Sequence, residues 1–520
     1  MKLVIVHYHL RPGGIRRIIE LAAPFIVRAK GSAIDHIVLA VGEATDQKWD
    51  ELFRQRVAQT PVEYFIEPAF NYVSEQKHSP RDIQERIRRA LGALLRDATG
   101  SNTIVWAQNP GIGRNLILTR ELARCCTRQG VPLISHHHDW WFDNRWRRWP
   151  EMKQTGFSTL ASVAKTVFPA ASTIRHFTIN HSDLSQLAQG LERRAAWLPN
   201  LTVRIPPPGE ERLRTARAWL QRKLNNGNAP VWILPCRLLR RKNVAEALLL
   251  TRWLRPAAWL VTTGGVSSAD EQGYADKLAT AAHRHHWRLR LGVLAGNEAR
   301  KPSVAELLAA SEAVMLTSIQ EGFGLPYLEA AASNRPLIAR SIPNIAPDLD
   351  QFGFRFPQCY AEILIATQLF DWQAERRRQD RMFERWRNLL PTAVRSLTGC
   401  PALLAAMPEQ PIPFSQLTLT AQLEVLAHPA RESWKACAPL NPFLEQWRQR
   451  AAGARLRVTP WPTTANRWLS GVAYARRFFD ALNLPARRSQ PFDPLELQGR
   501  FIASKLTAAN LFPLLWSIRI

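Results

Sequence analysis

Two carboxylates bracket a glycine-containing loop in residues 321–329, whose sequence is EGFGLPYLE. An apolar run at residues 314–318 predicts a buried strand before the loop, and Pro326 fits the first turn of a helix, where its missing N–H is tolerated. The glycines are therefore predicted to lie at a helix N-terminus, where free N–H groups and the helix dipole favour a diphosphate. When ionised, Glu321 and Glu329 can accept hydrogen bonds but cannot donate them, so each suits the hydroxyls of a sugar. The segment predicts a site for a nucleotide-linked sugar; the alternative is an ordinary strand, turn and helix with solvated glutamates.

The same segment resembles the E-x7-E signature of the retaining glycosyltransferases of family 4, which have the GT-B architecture. The resemblance implies that Glu321 faces the donor sugar and that Glu329 holds the ribose. It also implies that backbone amides of the loop contact the sugar and the phosphates: Gly322, Phe323, Gly324 and Leu325. Other short segments follow in the order found in that family, over about residues 1–350: Gln108-Asn109-Pro110, Asn180-His181-Ser182, Leu198-Pro199-Asn200 and Thr262-Thr263-Gly264-Gly265.

Two segments depart from the family pattern. Residues 333–336, with sequence SNRP, stand where a small Cys-Gly pair is frequent. Residues 342–344, with sequence IPN, replace a glycine-rich loop. These departures bear on donor specificity more than on the fold.

A basic segment, CRLLRRKN, follows a predicted strand at residues 231–234. It resembles an R-x4-K pattern of the same family, with Arg237 and Lys242 as the two cations. The resemblance implies that these residues hold the diphosphate and neutralise the leaving group, as charge-assisted contacts do. The alternative is a basic turn that caps a solvated helix, and the adjacent Arg240 and Arg241 leave open which basic residues act.

The turn after the first predicted strand, residues 3–9, contains Gly13 and Gly14. Open α/β sheets bind ligands at the carboxyl ends of their strands, although two glycines are also common in an ordinary tight turn. The turn lacks the G-x-G-x-x-G fingerprint of dinucleotide-binding oxidoreductases. In the family that the chain resembles, this loop approaches the donor phosphate or the acceptor, which implies the same for Gly13 and Gly14.

Three consecutive histidines follow another predicted strand, at residues 132–135. Successive side chains of an extended backbone point to opposite faces, so three adjacent histidines do not easily converge on one metal ion. His138 and Asp139 resemble the H-D pair of the family, whose histidine faces the donor sugar and stabilises the transition state. A buried structural histidine is the alternative, and His136 or His137 takes the role if the strand register differs.

The chain is strongly basic: its 520 residues include 69 Lys and Arg against 43 Asp and Glu, for a net charge of +26 that both halves share. Such a charge suits an anionic lipid surface, an anionic nucleotide donor or a charged acceptor, and it does not distinguish among these three partners. No nucleic-acid-binding module is recognisable, so we expect no specific nucleic-acid partner.

The remaining composition argues against a secreted or membrane-spanning protein. Six cysteines without CxxC spacing indicate neither a disulfide framework nor a zinc site: Cys125, Cys126, Cys236, Cys359, Cys400 and Cys437. The N-terminus enters a strand-length apolar run without a cleavage site, and no uninterrupted apolar run is long enough for a spanning helix. We expect a cytoplasmic location, with peripheral attachment to the inner membrane face as an option.

Strand and helix signals alternate in two successive stretches, which predicts two Rossmann-like parallel-sheet domains that face a cleft. We place an acceptor-side domain at residues 1–204 and a linker with a helix at 205–229, using the proline run at 206–208 as the boundary. The nucleotide-sugar-binding domain covers 230–395. A mainly helical extension of unassigned role covers 396–520, and part of it could cross back to the N-terminal domain.

These observations predict a retaining glycosyltransferase that moves a sugar from a nucleoside-diphosphate sugar to an unidentified acceptor hydroxyl, with no metal cofactor. Two alternatives remain open. A phosphorylase or a sugar-nucleotide epimerase could use the same architecture, and a non-catalytic scaffold of a polysaccharide or glycolipid assembly system could use the basic surface and the tryptophan-rich extension.

Overall fold

The computed structural model describes the chain except for residues 30, 203, 205, 206, 226, 227, 267, 297, 299, 409, 484–491 and 517–520. The chain forms two compact units, each assembled from discontinuous segments. The first contains residues 1–203, 389–396 and 464–505, and the second contains residues 204–388, 397–463 and 506–520. The predicted boundary at residues 204–206 falls partly outside the described residues, so it stays a prediction.

A parallel seven-stranded sheet forms the centre of the first unit, in the order β3-β2-β1-β4-β5-β6-β7. Its strands are β1 (Lys2–Val6), β2 (His36–Val41), β3 (Val62–Ile66), β4 (Thr103–Gln108), β5 (Leu133–His137), β6 (Ile174–Thr178) and β7 (Ala195–Trp197). The apolar runs of β1, β2 and β4 are almost wholly buried, as expected for a parallel sheet covered on both faces. The helices of this unit are Gly14–Val27, Gln47–Val57, Pro80–Leu94, Leu116–Gln129, Arg148–Gln154, Leu160–Val167, His181–Leu191, Asn466–Leu469, Gly471–Leu482 and Pro494–Lys505.

Two strands of this sheet, β6 and β7, were not expected from the sequence. Strand β6 places Arg175 and His176 in buried positions, and these polar residues interrupt the apolar run that marks a central strand. Strand β7 has three residues, too few for a periodic signal. The first strand also ends at Val6 and not at residue 9, which leaves His7, Tyr8 and His9 in the loop that follows it.

C-terminal helices complete the first unit. Helix Gly471–Leu482 packs on helix Gly14–Val27, and its Phe478 ring lies 5.5 Å from the buried ring of Trp106 in β4. A Cβ atom added at Gly471 would fall about 2.1 Å from a ring carbon of Phe25, so only glycine permits this approach.

The second unit has a parallel six-stranded sheet in the order β10-β9-β8-β11-β12-β13 and a short antiparallel pair, β14-β15. The strands are β8 (Val231–Leu234), β9 (Trp259–Thr262), β10 (Leu289–Arg290), β11 (Ala313–Leu316), β12 (Leu337–Arg340), β13 (Gln358–Tyr360), β14 (Leu364–Ile365) and β15 (Ile412–Pro413). The α-helices are Glu210–Leu224, Val244–Leu254, Ala269–Arg284, Val304–Ala310, Leu325–Ala332, Ala346–Phe352, Trp372–Arg387, Ala402–Ala405, Leu419–Ala427, Ala430–Cys437, Phe443–Ala452 and Pro513–Trp516. Strand β10 is shorter than the run predicted at 289–294, because the chain turns at Gly292, whose φ is +61°.

A buried ion network fixes the sheet of the second unit to helix Val244–Leu254. The Glu246 carboxylate accepts two hydrogen bonds of 2.6 Å from the Arg340 guanidinium and one of 2.5 Å from the Tyr360 hydroxyl. Burial raises the pKa of Glu246, whereas the carboxylates of Glu246 and Glu362 outweigh burial and raise the pKa of Arg340. Removing either partner would leave an uncompensated buried charge, so Glu246 and Arg340 depend on each other.

The two parallel sheets and the mainly helical C-terminal extension confirm the predicted fold class. Within the described part of the chain, no helix has both the length and the apolar content needed to cross a bilayer.

Candidate active site

Loops from three neighbouring strands meet at the carboxyl edge of the second sheet. The basic turn follows β8, and the segment that begins at Glu321 follows the adjacent β11. Residues 263–265 follow β9 and are tied to the basic segment, since Gly264 N donates to Cys236 O at 2.8 Å. Because β8 and β11 are parallel neighbours, their terminal loops lie side by side.

Glu321 forms the centre of a buried ion-pair cluster. One carboxylate oxygen accepts a hydrogen bond from Lys242 Nζ, and the other accepts one of 2.9 Å from Arg241 Nη1. Glu321 is 8% exposed and Lys242 7% exposed, so water screens this interaction weakly. We refer to Glu321, Lys242 and Arg241 as the anchor cluster.

The charge of Glu321 is strongly favoured within the anchor cluster. Burial alone raises the pKa of a carboxyl group, but the charges of Lys242 and Arg241 outweigh burial and lower the pKa of Glu321 to about 2. Glu321 is therefore ionised at neutral pH, and the cluster carries one net positive charge.

Backbone contacts hold the anchor cluster in place. Thr317 Oγ1 lies 3.0 Å from the carbonyl oxygens of Lys242 and Asn243, to which its hydroxyl donates, and Ile319 N donates to Arg241 O at 2.9 Å. Asn344 Nδ2, from the loop after β12, donates to Glu321 O at 3.1 Å. The asparagine of the divergent IPN segment thus supports the glutamate, a contact that the sequence does not signal.

The glycine loop leads into helix Leu325–Ala332, as predicted. Gly324 precedes the helix with φ +77°, and a Cβ there would lie 2.9 Å from the Tyr327 ring, so the position requires glycine. The backbone N–H groups of Phe323, Gly324 and Leu325 donate to no other residue that the structure describes. Helix N-termini with free N–H groups favour anions.

The structure brings together most of the residues predicted in this unit. Glu321, Lys242 and the loop from Gly322 to Leu325 lie at one edge of the sheet, and Glu329 lies partly exposed on the following helix. Arg237 is exposed and makes no ion pair or hydrogen bond within the described residues. Arg241, which the sequence did not distinguish from its neighbours, is the second cation on Glu321.

The first unit places His138 at the carboxyl end of β5. Its Nε2 lies 3.0 Å from Gln108 Oε1, and its backbone N–H donates to Asn109 Oδ1 at 3.1 Å. The same amide oxygen accepts from Asp139 N at 3.0 Å. Burial lowers the pKa of His138 to about 4, so its imidazole is neutral at pH 7.

The other two histidines are fully enclosed. His136 accepts a hydrogen bond of 3.3 Å from Trp106 Nε1, and His137 Nε2 lies 3.1 Å from His176 Nδ1. His136 and His138 share one side of the strand, with ring centroids 4.4 Å apart, as the two-residue period of a strand requires. Among the described residues, no group of three or more His, Cys, Asp and Glu side chains is arranged to hold a metal ion.

Gly13 and Gly14 lie in an exposed turn at the start of helix Gly14–Val27. A Cβ added at Gly14 would meet nothing within 4 Å, and one at Gly13 only Arg11 O, at 3.8 Å. Packing within the described unit therefore does not require glycine at either position.

A lysine of the C-terminal extension supports the loop that carries His138. Lys505 Nζ lies 2.9 Å from Asp143 Oδ1, and Asp143 Oδ2 accepts from Trp140 N at 2.9 Å. Asp183 lies 3.9 Å from the same ammonium group and accepts from Trp140 Nε1 at 2.9 Å. Burial opposes the charge of Lys505, but the two carboxylates outweigh it and raise its pKa. The sequence gave no signal for this contact, because its partners are distant along the chain.

Comparisons with known proteins identify a sequence family and several proteins of similar structure. Residues 216–349 match the sequence model of the family described as glycosyl transferases group 1. Mannosylglucosyl-3-phosphoglycerate synthase of Petrotoga mobilis is 22% identical over 352 residues, and the match covers 65% of this chain and 65% of that protein. Over residues 216–349 the chain is therefore similar to a glycosyltransferase domain, as the predicted transferase class requires, and this range includes the whole anchor cluster.

Solved structures support the GT-B fold. The HepE protein of Anabaena, solved with UDP-glucose, has a TM-score of 0.51 at 14% identity over 93% of this chain and 99% of its own. A glycosyltransferase of Rickettsia africae has a TM-score of 0.51 at 11% identity over 94% of this chain and 99% of its own. At such identities the likeness shows the fold, and it confirms the GT-B assignment.

The anchor cluster predicts an acid-dependent contribution to stability. Because the folded-state pKa of Glu321 lies near 2 and its ordinary value is 4.5, ionised Glu321 stabilises the fold by about 3 kcal/mol. This contribution is complete above about pH 4.5 and is lost as the pH falls through about 2. Glu321→Gln should lower the free energy of unfolding at pH 7 by about this amount and lose the acid dependence, as measured by urea denaturation across pH.

Glu384→Gln is the matched control, since the Glu384 side chain is 53% exposed in a surface ion pair with Arg387. Equal stability of the two variants at pH 7 would contradict the stabilising role of the cluster.

Proposed function

We propose that this protein is a retaining glycosyltransferase of family 4 that moves a sugar from a nucleoside-diphosphate sugar to an acceptor hydroxyl. The observation that carries this proposal is the anchor cluster beside a glycine loop at a helix N-terminus, where the N–H groups of Phe323, Gly324 and Leu325 donate to no other residue that the structure describes. The family match over residues 216–349 supports the transfer of a sugar, and the E-x7-E spacing from Glu321 to Glu329 supports the donor class.

The proposed donor contacts follow from charge and hydrogen-bond capacity. Lys242 has three N–H donors, so it can bind a phosphate oxygen while it keeps its bond to Glu321. The backbone N–H groups from Gly322 to Leu325 suit the diphosphate and the sugar. Arg237, which is exposed without a partner among the described residues, is the second proposed phosphate ligand. Glu321 and Glu329 accept from the hydroxyls of the sugar and the ribose.

The proposed reaction breaks the bond between the anomeric carbon and the diphosphate oxygen. Lys242, Arg237 and the loop amides stabilise the negative charge that develops on the departing diphosphate. The acceptor oxygen attacks from the face that the diphosphate leaves, and its proton passes to a phosphate oxygen of that leaving group. The anomeric configuration is thereby retained.

The proposed mechanism assigns no step to a metal ion, because side-chain cations and backbone donors are available to neutralise the diphosphate. From the first unit, we propose substrate contacts for Gly13, Gly14 and His138. A neutral imidazole at His138 can exchange hydrogen bonds with sugar hydroxyls without adding charge.

Two alternative activities differ from a transferase in their products. A phosphorylase would release a sugar phosphate, and a sugar-nucleotide epimerase would release an isomerised donor. A scaffold would tolerate substitutions of the anchor cluster and depend on the C-terminal extension. The net positive charge of the cluster favours catalysis over a scaffold, because a bound diphosphate would neutralise it.

Lys242→Ala and Glu321→Ala should each lower the turnover number by at least ~100-fold, the scale for losing one preorganised electrostatic contact. Turnover is measured as free nucleoside diphosphate released from UDP-, GDP- and ADP-sugars with a panel of acceptors, with and without EDTA. Circular dichroism verifies folding, and Lys242→Arg, which keeps the charge, should retain more activity than Lys242→Ala. Exposed Arg381 provides the control, since Arg381→Ala should leave turnover unchanged. Wild-type turnover in either anchor variant would refute the proposed site.

We also propose a cytoplasmic location with peripheral binding to an anionic membrane. A basic groove in the first unit supports this, with a cavity volume of about 540 Å³ lined by Arg120, Arg124, Arg128 and Lys165. Such a groove attracts anionic headgroups in a salt-dependent manner.

Replacing Arg124, Arg128 and Lys165 by Glu should weaken binding to phosphatidylglycerol vesicles at least ~100-fold, from about 1 kcal/mol for each basic residue. Co-sedimentation at low and high salt measures the binding. The control replaces exposed Arg376, Arg377 and Arg381 by Glu, an equal change of charge elsewhere. Equal binding by the two triple variants would exclude the groove as the membrane contact.

A further inference from the structure

Arg114, in the loop after β4, is a partly buried arginine without a charged partner. Its guanidinium carbon lies 4.6 Å from the centroid of the Tyr72 ring. It makes no ion pair and no side-chain hydrogen bond within the part of the chain that the structure describes. Arginines that are partly removed from water normally pair with carboxylates or carbonyl groups, so this one is an exception.

Two further arginines, each paired with a carboxylate, lie close enough to Arg114 to affect its charge. Arg145 and Arg148, from the segment after β5, act on it electrostatically, and their own partners are Asp139 at 3.1 Å and Glu151 at 2.6 Å. Burial and the repulsion from Arg148 and Arg145 lower the pKa of Arg114 to about 10, although Tyr72 and the Glu151 carboxylate act in the opposite direction. The guanidinium remains charged at neutral pH, and no carboxylate among the described residues forms an ion pair with it.

Aromatic side chains form the other side of this position. The Tyr72 ring lies 5.2 Å from the Tyr8 ring and 4.8 Å from the His9 ring. Tyr8 and His9 follow β1, Arg114 follows β4 and Arg145 follows β5, so the group lies at the carboxyl edge of three adjacent strands. This edge is where open parallel sheets bind their ligands. His9 Nδ1 is also enclosed without a hydrogen-bond partner among the described residues.

We propose that Arg114 binds an anionic oxygen group, a phosphate or a carboxylate, of the sugar-accepting substrate. The acceptor role rests on the proposed function, whereas binding of the anion does not. The planar guanidinium fork suits two parallel hydrogen bonds to such a group, which would supply the missing partner. The Tyr72 ring holds one face of the guanidinium and leaves its edge for the ligand.

A purely structural role for Arg114 makes a different prediction. If the stacking on Tyr72 stabilises the fold, Arg114→Met should lower the melting temperature of the free protein. If the charge is retained for a ligand, Arg114→Met should keep or raise that melting temperature, because it removes an unpaired charge beside two arginines. Arg114→Lys keeps the charge but loses the fork.

The test measures binding of three probes, glucose 6-phosphate, glucuronate and glucose, by thermal shift and calorimetry at constant ionic strength. We expect both anionic sugars to bind the wild-type protein more tightly than glucose does. Arg114→Met should weaken that binding by on the order of 10- to 100-fold, the value of a hydrogen bond to a charged group, with no loss of stability. The affinity of Arg114→Lys for the anionic sugars should fall between those of the wild-type protein and Arg114→Met. Arg81→Met is the control, since the Arg81 side chain is 87% exposed and paired with Glu85 at the surface.

Equal affinity of wild-type and Arg114→Met for both anionic sugars would overturn the proposal, as would absence of anion binding by the wild-type protein. A melting temperature of Arg114→Met below that of Arg81→Met would support the structural role, and it would likewise overturn the proposal of anion binding. Nucleoside-diphosphate binding is measured in the same variants, because it distinguishes failure of the Arg114 proposal from failure of the proposed function. Arg114→Met should retain such binding, and Lys242→Met should lose it while still binding glucose 6-phosphate.

Discussion

The candidate site of the second unit depends on the bond between the Lys242 ammonium and the Glu321 carboxylate. Each group is almost completely removed from water, and neither would be stable there as an isolated charge. Their pairing fixes two loops, one after β8 and one after β11, at the same edge of the sheet. Arg241 leaves the pair with an excess positive charge, which is the property that a diphosphate needs.

The parallel sheet explains why chemistry is concentrated at this edge. Every strand of a parallel sheet presents its carboxyl end on the same side, so loops that are distant in sequence come together there. In the second unit these loops bring a basic turn, a glycine loop and Asn344 into contact. In the first unit they bring the His138 segment, Gln108 and Asn109 into one hydrogen-bonded group.

Sequence patterns predicted the two parallel sheets and the position of the glycine loop, because buried apolar runs and glycine loops have local signatures. The Glu321 loop and its helix start were predicted correctly, since Gly324 and Pro326 restrict the backbone themselves. The choice of Arg241 over its neighbours could not be predicted, because it depends on which side chain of a short turn points toward Glu321. Strand β6 was missed because Arg175 and His176, although buried, are polar residues of the kind that usually indicates an exposed segment. The contacts of Lys505 and the isolation of Arg114 are tertiary properties without a local signal.

The most direct test of the central claim is the melting temperature of the protein with UDP, GDP, ADP or NAD at millimolar concentration. A ligand that binds only the folded state must raise the melting temperature. If Lys242, held by Glu321, binds the diphosphate of a nucleotide-sugar donor, one nucleoside diphosphate will raise the melting temperature of the wild-type protein, and the shift will disappear in Lys242→Met. A shift of the same size in Lys242→Met, or no shift with any nucleoside diphosphate, would contradict the claim.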